Sequence, residues 1–211
     1  SFFSESESVQ TDFFLQAQTL KFNTDVWTNG GSLQASADVF EFVSDILIDS
    51  TNTLGLSTGE VLLTSEQDLT LPTIHSGQDL NATSTLGGIF SSAKLIVDGD
   101  TQFNAASEIR LFDGFSLTSA AGDVTLNASQ RIALNQFLLG EAVIDVGGRV
   151  SIVSTDGPIL MSGIFNGESL DINSTNGSLL AEQVEINAAS SVNINLMNGV
   201  LDAVGLIVIN S

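Results

Sequence analysis

Cysteine and tyrosine are both missing from this chain of 211 residues, and proline occurs only twice. Without cysteine the fold can have neither a disulfide framework nor a thiolate metal site, and the redox compartment stays undetermined. Stability must therefore come from packing and from backbone hydrogen bonds. The chain begins at Ser1 without methionine, as expected for a processed chain or a fragment.

Basic side chains are scarce, since five Lys and Arg stand against 25 Asp and Glu, for a formal net charge of −20. Binding to nucleic acid needs clustered cations that displace counterions, and the five cations here are scattered, so we expect no nucleic-acid partner. No apolar run approaches the roughly 18 to 20 residues of a membrane span, so we expect no membrane insertion. With 43% hydrophobic residues, the chain is nevertheless too apolar for an acidic disordered segment.

Apolar residues alternate with polar residues in short runs that Gly, Asn, Asp and Ser interrupt. This is the period of β-strands and not of helices. Val124 and Leu126 form one such pair of apolar residues, and Val150 and Ile152 form another. The pairs recur about every seven or eight residues, which leaves room only for very short strands followed by turns.

A quartet consisting of one large apolar residue, Asn and two small residues recurs along the chain. Its asparagines fall into two registers, and within each register they are 23 or 46 residues apart. The positions are Asn81, Asn104, Asn127 and Asn173 in the first register, and Asn187 and Asn210 in the second. A fixed period of this length indicates stacked repeats, and three strand-and-turn units fill it. The sequence therefore predicts an all-β fold, a three-sided β-helix (solenoid) with about 23 residues per coil.

Two other folds share parts of this pattern. An intertwined triple-stranded β-helix, in which each of three chains supplies one side of a turn, has the same local sequence. A β-sandwich is the third alternative, although it favours longer strands and clearer hairpins. Residues 1–30 lack the asparagine frame, and we expect them to form an N-terminal cap or assembly segment in front of a β-helical rod over residues 31–211.

The asparagines of the quartet have two interpretations that do not exclude each other. In the turns of a β-helix, Asn81, Asn104, Asn127, Asn173, Asn187 and Asn210 would stack as a ladder of side-chain amides, hydrogen-bonded from coil to coil. Four asparagines also lie in N-glycosylation sequons and are candidate acceptors, namely Asn81, Asn127, Asn173 and Asn176.

Residue sets that would support catalysis or metal binding are weak. His75 is the only histidine, so a metal site or a catalytic triad based on it is not expected. Asp98-Gly99-Asp100 is the best candidate for Ca²⁺, but calcium takes about six to eight oxygen ligands. We therefore expect a solvated turn at this position and predict no cofactor.

Three arginines are spaced so that they could stack loosely on one face of the rod. We expect Arg110, Arg131 and Arg149 to form surface ion pairs and not a catalytic cluster. The aspartates that could face them are Asp113, Asp123 and Asp145.

Two phenylalanine pairs, Phe2-Phe3 and Phe13-Phe14, lie near the otherwise polar N-terminus and are candidate assembly residues. They fit a segment that extends the sheet of a neighbouring molecule by strand addition, and equally a segment that covers the end of its own rod. A head-to-tail contact that does not close into a ring produces a filament.

Two segments resemble known extracellular fibre proteins. Residues 117–129, LTSAAGDVTLNAS, resemble the repeats of filamentous-haemagglutinin-type adhesins, whose shafts are right-handed β-helices on bacterial surfaces. Residues 169–201 resemble the repetitive ectodomains of sarcoglycan-type proteins and phage tail needles, which form intertwined rods. This resemblance covers roughly residues 116–211, implies a rod-like extracellular structural role and carries over no functional residue.

The sequence thus predicts a non-catalytic structural subunit of an extracellular or cell-surface fibre. We expect it to assemble with itself, head to tail, and to carry glycans. The alternative is a β-helical protein that binds or cleaves polysaccharide, including a segment of a phage tail fibre or spike.

Overall fold

The fold is a parallel β-solenoid, seen in a computed structural model that describes residues 10–43, 45–52, 59–134 and 142–210. It has about eight turns of about 22 residues each. Because hydrogen-bonded strands lie about 4.8 Å apart, eight turns give a rod about 38 Å long. The described strands are β1 Phe13–Phe22, β2 Val26–Trp27, β3 Leu33–Phe42, β4 Leu47–Asp49, β5 Val61–Ser65, β6 Leu69–Thr70, β7 Thr73–Ser76, β8 Leu80–Ser84, β9 Ile89–Ser91, β10 Lys94–Val97, β11 Thr101–Ala105, β12 Glu108–Leu111, β13 Ser116–Ser119, β14 Val124–Ala128, β15 Arg131–Leu134, β16 Ala142–Val146, β17 Arg149–Ser154, β18 Ile159–Ser174, β19 Leu179–Leu196 and β20 Leu201–Asn210.

Each turn of the solenoid crosses three faces, which we name A, B and C in the order in which the chain visits them. Face A contains β5, β8, β11, β14 and β17; face B contains β6, β9, β12 and β15; and face C contains β2, β4, β7, β10, β13 and β16. The long strands bend around corners. β1 and β3 cover faces A and B, β18 and β19 cover B, C and A in turn, and β20 covers B and C.

Every pairing among the described strands is parallel, and each one joins strands of neighbouring turns. The three-sided β-helix predicted from the sequence is therefore confirmed. One chain supplies all three faces, which excludes the intertwined rod, and the parallel pairing excludes the sandwich. Stacking of this kind satisfies the backbone groups of strands too short to persist alone.

Alternate residues of each strand point inward and form an apolar interior. In β14 the inward residues Val124, Leu126 and Ala128 are at most 5% exposed, while Thr125 and Asn127 between them point outward. Complete burial of a Val, Leu, Ile or Phe side chain contributes about 1.5–3 kcal/mol. Packing of successive turns against each other therefore supplies the main stabilisation of the rod.

The corners of the rod depend on small residues and on local hydrogen bonds. At the corner between faces A and B, the buried Ser154 hydroxyl lies within hydrogen-bond distance of two carbonyl oxygens, that of Gln130 at 2.9 Å and that of Gly157 at 2.8 Å. At the corner between faces B and C, Gly163 and Gly205 have φ angles of 101° and 82°, a left-handed conformation that glycine adopts without steric cost.

Turn length varies more than the asparagine spacing predicts. The carboxylate of Asp68 accepts the backbone N–H of Gly88, 20 residues further on, whereas that of Asp123 accepts the backbone N–H of Arg149, 26 residues further on. Strand pairing fixes the number of residues on each face, so the additional residues of a longer turn lie in its corners. A constant step of 23 residues is therefore only close to the average.

The N-terminal strands belong to the same stack, since β1 pairs with β3 and β2 pairs with β4. The division of the chain into a segment 1–30 and a rod 31–211 stays a prediction. Within the described residues, no helix has the length and the hydropathy that a membrane span requires.

Candidate assembly surface and polar ladders

The last described turn leaves the inward side chains of the rod uncovered. Leu201 is 55% exposed and Ile209 is 50% exposed, whereas Leu179 and Ile186, which occupy the same two inward columns one turn earlier, are 1% and 4% exposed. Ile194 on face A is 38% exposed. We call this surface, formed by residues 191–210, the distal end. It combines an apolar cross-section with a row of backbone groups for which the described residues provide no further strand.

The opposite end of the rod, formed by β1 and β2, is also apolar in part. Phe13 and Leu15 point inward and pack against the core, as their pairing with Leu33 and Ala35 requires. Phe14 points outward and is 71% exposed. We call the surface formed by residues 13–27 the proximal end. The candidate assembly residues Phe2 and Phe3 lie outside the described residues.

Several of the predicted ladder asparagines do bond from turn to turn, but on two different faces. On face A, Asn127 Nδ2 donates to Asn104 Oδ1 at 3.0 Å. On face C, Asn187 Nδ2 donates to Asn166 Oδ1 at 2.9 Å, and Asn210 Nδ2 donates to Asn187 Oδ1 at 2.6 Å. The two registers found in the sequence therefore correspond to two separate columns of amides.

Asn81 does not stack on Asn104, contrary to the predicted ladder. It pairs with Gln102 in the neighbouring strand, two positions before Asn104. The physical reason is that this step of the solenoid is 21 residues long, as the hydrogen bond between Asp79 and Asp100 also shows. A spacing of 23 residues in the sequence therefore overshoots the register at this turn.

Asn173 lies in the same column as Asn127, two turns further along, and Val153 occupies the position between them. It pairs with Asn195 on its other side. The sequon asparagines Asn81, Asn127 and Asn173 all point outward from face A and are partly exposed. Their accessibility fits glycosylation, which stays a prediction.

Asn176, the fourth sequon asparagine, is exposed at the corner between faces A and B. Its Nδ2 donates to Asp156 Oδ1 at 2.8 Å, and its Oδ1 accepts Asn198 Nδ2 at 2.9 Å. The sequence pattern did not place Asn166 and Asn198 in ladders, because an Asn-Gly pair is also typical of hairpin turns. The signal for Asn198 is the recurrence of Asn-Gly about one turn apart, at Asn176 and Asn198, 22 residues apart.

A column of aspartates that the repeat pattern did not predict lies at the corner between faces C and A. Asp79 Oδ1 accepts the backbone N–H of Asp100 at 2.9 Å, and Asp100 Oδ1 accepts that of Asp123 at 2.8 Å. Asp123 Oδ1 continues the column to the N–H of Arg149 at 2.7 Å. The available signal was an Asp directly before a face A strand, recurring at 21 and 23 residues.

Asp98-Gly99-Asp100, the candidate for Ca²⁺, belongs to this corner, where the Asp100 carboxylate already bonds to the next turn. In the described part of the chain, no three His, Cys, Asp or Glu residues form a cluster that could hold a metal ion. His75 Nδ1 lies 3.7 Å from Asp49 Oδ2, on the outer side of face C.

Two of the three arginines pair with a carboxylate one turn away, and Arg110 pairs within its own strand β12. Arg131 pairs with Glu108, to which its Nε donates at 2.9 Å, and Arg149 Nε lies 3.5 Å from Asp171 Oδ2. Arg110 Nη1 lies 4.0 Å from Glu108 Oε1. The sequence predicted surface ion pairs and named other partners, namely Asp113, Asp123 and Asp145.

A shallow groove runs along face C beside the corner with face A. It consists of two hollows of about 640 and 490 Å³, which share Val146 and Gly147 in their lining. The amides of Asn166 and Asn187 and the carboxylate of Asp145 line it. The groove is open to solvent and offers a row of polar groups repeated once per turn.

A comparison with family models finds one similarity: residues 58–114 match the model described as repeats of unknown function (DUF5649). The match covers the turns from β5 to β12 and includes two members of the aspartate column, Asp79 and Asp100. No curated protein and no solved structure matches the chain. Residues 58–114 of this β-solenoid thus resemble repeats of this type, and the match assigns no activity.

Proposed function

We propose that this protein is a non-catalytic structural subunit of an extracellular or cell-surface fibre, similar to an adhesin shaft, and that it assembles with itself end to end. The observation that carries the proposal is the parallel stacking of the turns. Apolar residues of successive turns cover each other, as Leu179 and Leu201 do, and each turn pairs with the next through its backbone.

The geometry of a solenoid supports association through such ends. An uncovered turn offers a row of backbone donors and acceptors together with an apolar cross-section, so another turn of the same shape can add to it by strand pairing. Each added molecule then presents a new uncovered turn. Contacts of this type do not close on themselves and lead to a filament.

The charge distribution favours contact at the ends over contact at the sides. The chain has a net charge of −20, and described carboxylates such as Asp79, Asp100 and Asp123 lie at the corners of the rod. Like charges on the flanks of two rods repel each other. The exposed side chains of the distal end, by contrast, include Ile194, Leu201 and Ile209.

Electron microscopy and sedimentation of the purified chain test the proposal. We expect filaments one rod wide, and we expect the double substitution Leu201→Lys and Ile209→Lys to abolish them because it places charge on the apolar contact. The matched control is Leu86→Lys, which changes a leucine that is 69% exposed at a corner away from both ends. A wild-type chain that stays monomeric at high concentration, or filaments that survive the double substitution, would contradict end-to-end assembly.

Glycosylation at one or more of Asn81, Asn127, Asn173 and Asn176 is a separate part of the proposal, supported by their outward orientation. Removal of N-linked glycans from protein purified from its native source should lower the apparent mass. Substitution of the four asparagines by Gln should remove the same increment. If treatment with a glycosidase that removes N-linked glycans causes no mass change, the protein carries no N-glycan and these asparagines act only within the fold.

Polysaccharide binding is the second candidate function, and the groove on face C favours it. Its amides are held in place by the ladder bonds between Asn166 and Asn187, so they are ordered before any ligand binds. Calorimetric titration with neutral and acidic polysaccharides tests this alternative. The carboxylates of Asp145 and Glu168 in the lining favour a neutral glycan. If neither class of polysaccharide gives a heat signal, the groove is not a glycan site.

A further inference from the structure

We propose that the groove on face C binds a linear, neutral polysaccharide chain along the axis of the rod, with one sugar unit beside each turn. This inference rests on the polysaccharide binding proposed for the groove, and it specifies the class and the direction of the ligand. It does not depend on fibre assembly. The part of the groove that carries it consists of four consecutive turns before the last described strand, and their outward residues on face C are Thr118, Asp145, Asn166 and Asn187.

The amide of Asn166 retains hydrogen-bonding capacity for a ligand. An amide has two N–H donors and an oxygen that accepts two bonds. Within the described residues, Asn166 Nδ2 donates to Asp145 Oδ1 at 3.1 Å, and Asn166 Oδ1 accepts Asn187 Nδ2 at 2.9 Å. These bonds use one donor and one acceptor site. A sugar hydroxyl can satisfy both of the others, because it accepts and donates.

The two turns before Asn166 offer groups that also suit a hydroxyl. Thr118 is partly exposed and Asp145 is exposed, so both side chains are accessible from the groove. A carboxylate only accepts hydrogen bonds, so a ligand group beside Asp145 must bring a donor. Sugar hydroxyls meet this requirement, whereas the carboxylate or sulfate groups of acidic glycans do not.

The charge of the groove favours a neutral ligand as well. Its described lining residues include Asp98, Asp145 and Glu168 and contain no Lys or Arg. Negative groups of this kind repel an anionic polysaccharide. An uncharged chain encounters no such repulsion.

Small residues give the groove room for a sugar ring. Gly147, Gly167, Ala120, Ala188 and Ala189 line it between the polar column and the corner with face A. Their short side chains let the C–H face of a ring approach the backbone, and contact between C–H groups removes apolar surface from water. The groove thus combines a polar side with a flat, apolar side.

The spacing of the polar column favours a chain that runs along the rod. Successive turns lie about 4.8 Å apart, so the four outward groups form a row with this repeat. One six-membered ring in an extended polysaccharide advances the chain by a similar length. A chain along the axis therefore repeats its contacts at each turn, whereas a chain across the groove contacts fewer turns. The ladder bonds also order the amides in advance, which lowers the entropic cost of binding.

Calorimetric titration with linear oligosaccharides of increasing length tests the inference. The neutral probes are the cello-, manno- and xylo-oligosaccharides from the disaccharide to the tetrasaccharide, and oligogalacturonates of the same lengths are the acidic counterpart. In at least one neutral series we expect the affinity to rise roughly threefold to tenfold with each added unit, because each unit adds about one net hydrogen bond. We expect no binding of the oligogalacturonates.

Two bulky substitutions test the direction of the chain. Ala120 and Ala189 are exposed and line different hollows of the groove, beside turns that are three steps apart. We expect Ala120→Trp and Ala189→Trp each to weaken binding of the tetrasaccharide by about tenfold, since a chain along the axis occupies both hollows. The matched control is Ala106→Trp, at an exposed position of the corner between faces A and B, which should bind like the wild type.

A smaller substitution gives a second test that does not depend on a bulky side chain. Asn166→Ala removes the amide from the middle of the column and should weaken binding of the tetrasaccharide in the same neutral series. Its control is Asn198→Ala, which removes an equivalent ladder bond, 2.9 Å long, at the corner between faces A and B. Circular dichroism of all variants checks that the strands are retained. Equal affinities of Asn166→Ala and Asn198→Ala would overturn the role of the column.

The remaining outcomes separate this inference from the candidate function on which it rests. Equal affinity for the disaccharide and the tetrasaccharide, or weaker binding in only one of the two groove Trp variants, would overturn the axial direction and leave glycan binding in the groove standing. Oligogalacturonates that bind as tightly as the neutral probes would overturn the neutral class. Absence of binding in all three neutral series would reject the candidate function together with the inference.

Discussion

Thr101 is a single polar residue in an inward column of face A that is otherwise apolar. Its neighbours in the column are Leu80 and Val124, and all three side chains are at most 1% exposed. The Thr101 Oγ1 atom is buried and makes no hydrogen bond. A buried hydroxyl without a partner destabilises a fold by about 1–3 kcal/mol.

Replacing Thr101 by Val should therefore raise the free energy of unfolding by about 1 kcal/mol, because the methyl group removes the unpaired hydroxyl at nearly the same volume. The midpoint of urea unfolding measures the change. Val124→Thr, one turn away in the same column, is the reverse control and should lower the midpoint. A lower midpoint for Thr101→Val would show that the hydroxyl stabilises the fold.

At the residue scale, the sequence could predict the Asn104–Asn127 bond, because the step between these turns equals the spacing of the quartet, 23 residues. It could not predict that Asn81 falls two positions short of the next rung. The length of a turn depends on the number of residues in its corners. Because corner residues are polar, the spacing of the apolar residues does not reveal that number. The sequence therefore predicts the vertical partner of an asparagine only where the turn is 23 residues long.

At the scale of one strand and its corner, aspartates hold the start of each strand on face A. Asp100 directly precedes β11, and its carboxylate accepts the N–H of Asp123, which directly precedes β14. This arrangement resembles the capping of a helix N-terminus by a side-chain oxygen. The acidic residues of the rod thus do more than keep it in solution, since some of them link one turn to the next.

Asp100→Ala should lower the free energy of unfolding by about 1 kcal/mol, since the N–H of Asp123 loses its acceptor. Asp100→Asn is the matched variant, because it changes the net charge equally but keeps an oxygen that can accept the bond. We expect its midpoint of urea unfolding to stay closer to that of the wild type. Equal losses for both variants would indicate that the charge matters and the hydrogen bond does not.

The corner between faces A and B leaves no space for a side chain at Gly177. A Cβ atom placed there would lie 1.9 Å from the carbonyl oxygen of Gly157, one turn earlier. We expect Gly177→Ala to cost about 1–3 kcal/mol, in line with overpacked interiors, and to lower the thermal midpoint. Thr175→Ala, at an exposed position of the same corner, should change it little. A thermal midpoint for Gly177→Ala at or above that of Thr175→Ala would refute the steric account.

The alternation within strands was predictable from the sequence, whereas the extent of the long strands was not. β18 and β19 run over all three faces without interruption and shift register between Met161 and Gly163 and between Gly167 and Ser169. The sequence suggests turns at these places, since Gly and Asn interrupt the apolar period there. At these corners the strand register shifts locally while the strand continues. The spacing of apolar residues does not distinguish such a shift from a turn.

For the whole molecule, electrostatic repulsion opposes the proposed assembly. Every copy carries a net charge of −20, so two copies repel each other even when their apolar ends meet. Salt shortens the range of this repulsion from about 30 Å at 0.01 M to about 8 Å at 0.15 M. The apolar contact itself does not depend on these charges.

Raising the salt concentration from 0.01 M to 0.15 M should therefore lower the protein concentration at which filaments begin to form, as measured by light scattering. The variant with Leu201→Lys and Ile209→Lys should stay unassembled at both salt concentrations, because it lacks the apolar contact. Filaments that dissolve on addition of salt would point instead to assembly through attraction between charges.

Since each turn touches only the turn before it and the turn after it, the length of the molecule is adjustable in increments. Val61 pairs with Leu80, and Leu80 pairs with Thr101. Deleting residues 80–100 would bring Val61 directly onto Thr101 and preserve every other interface. Duplicating or deleting a segment that encodes one turn should therefore lengthen or shorten the rod by about 4.8 Å.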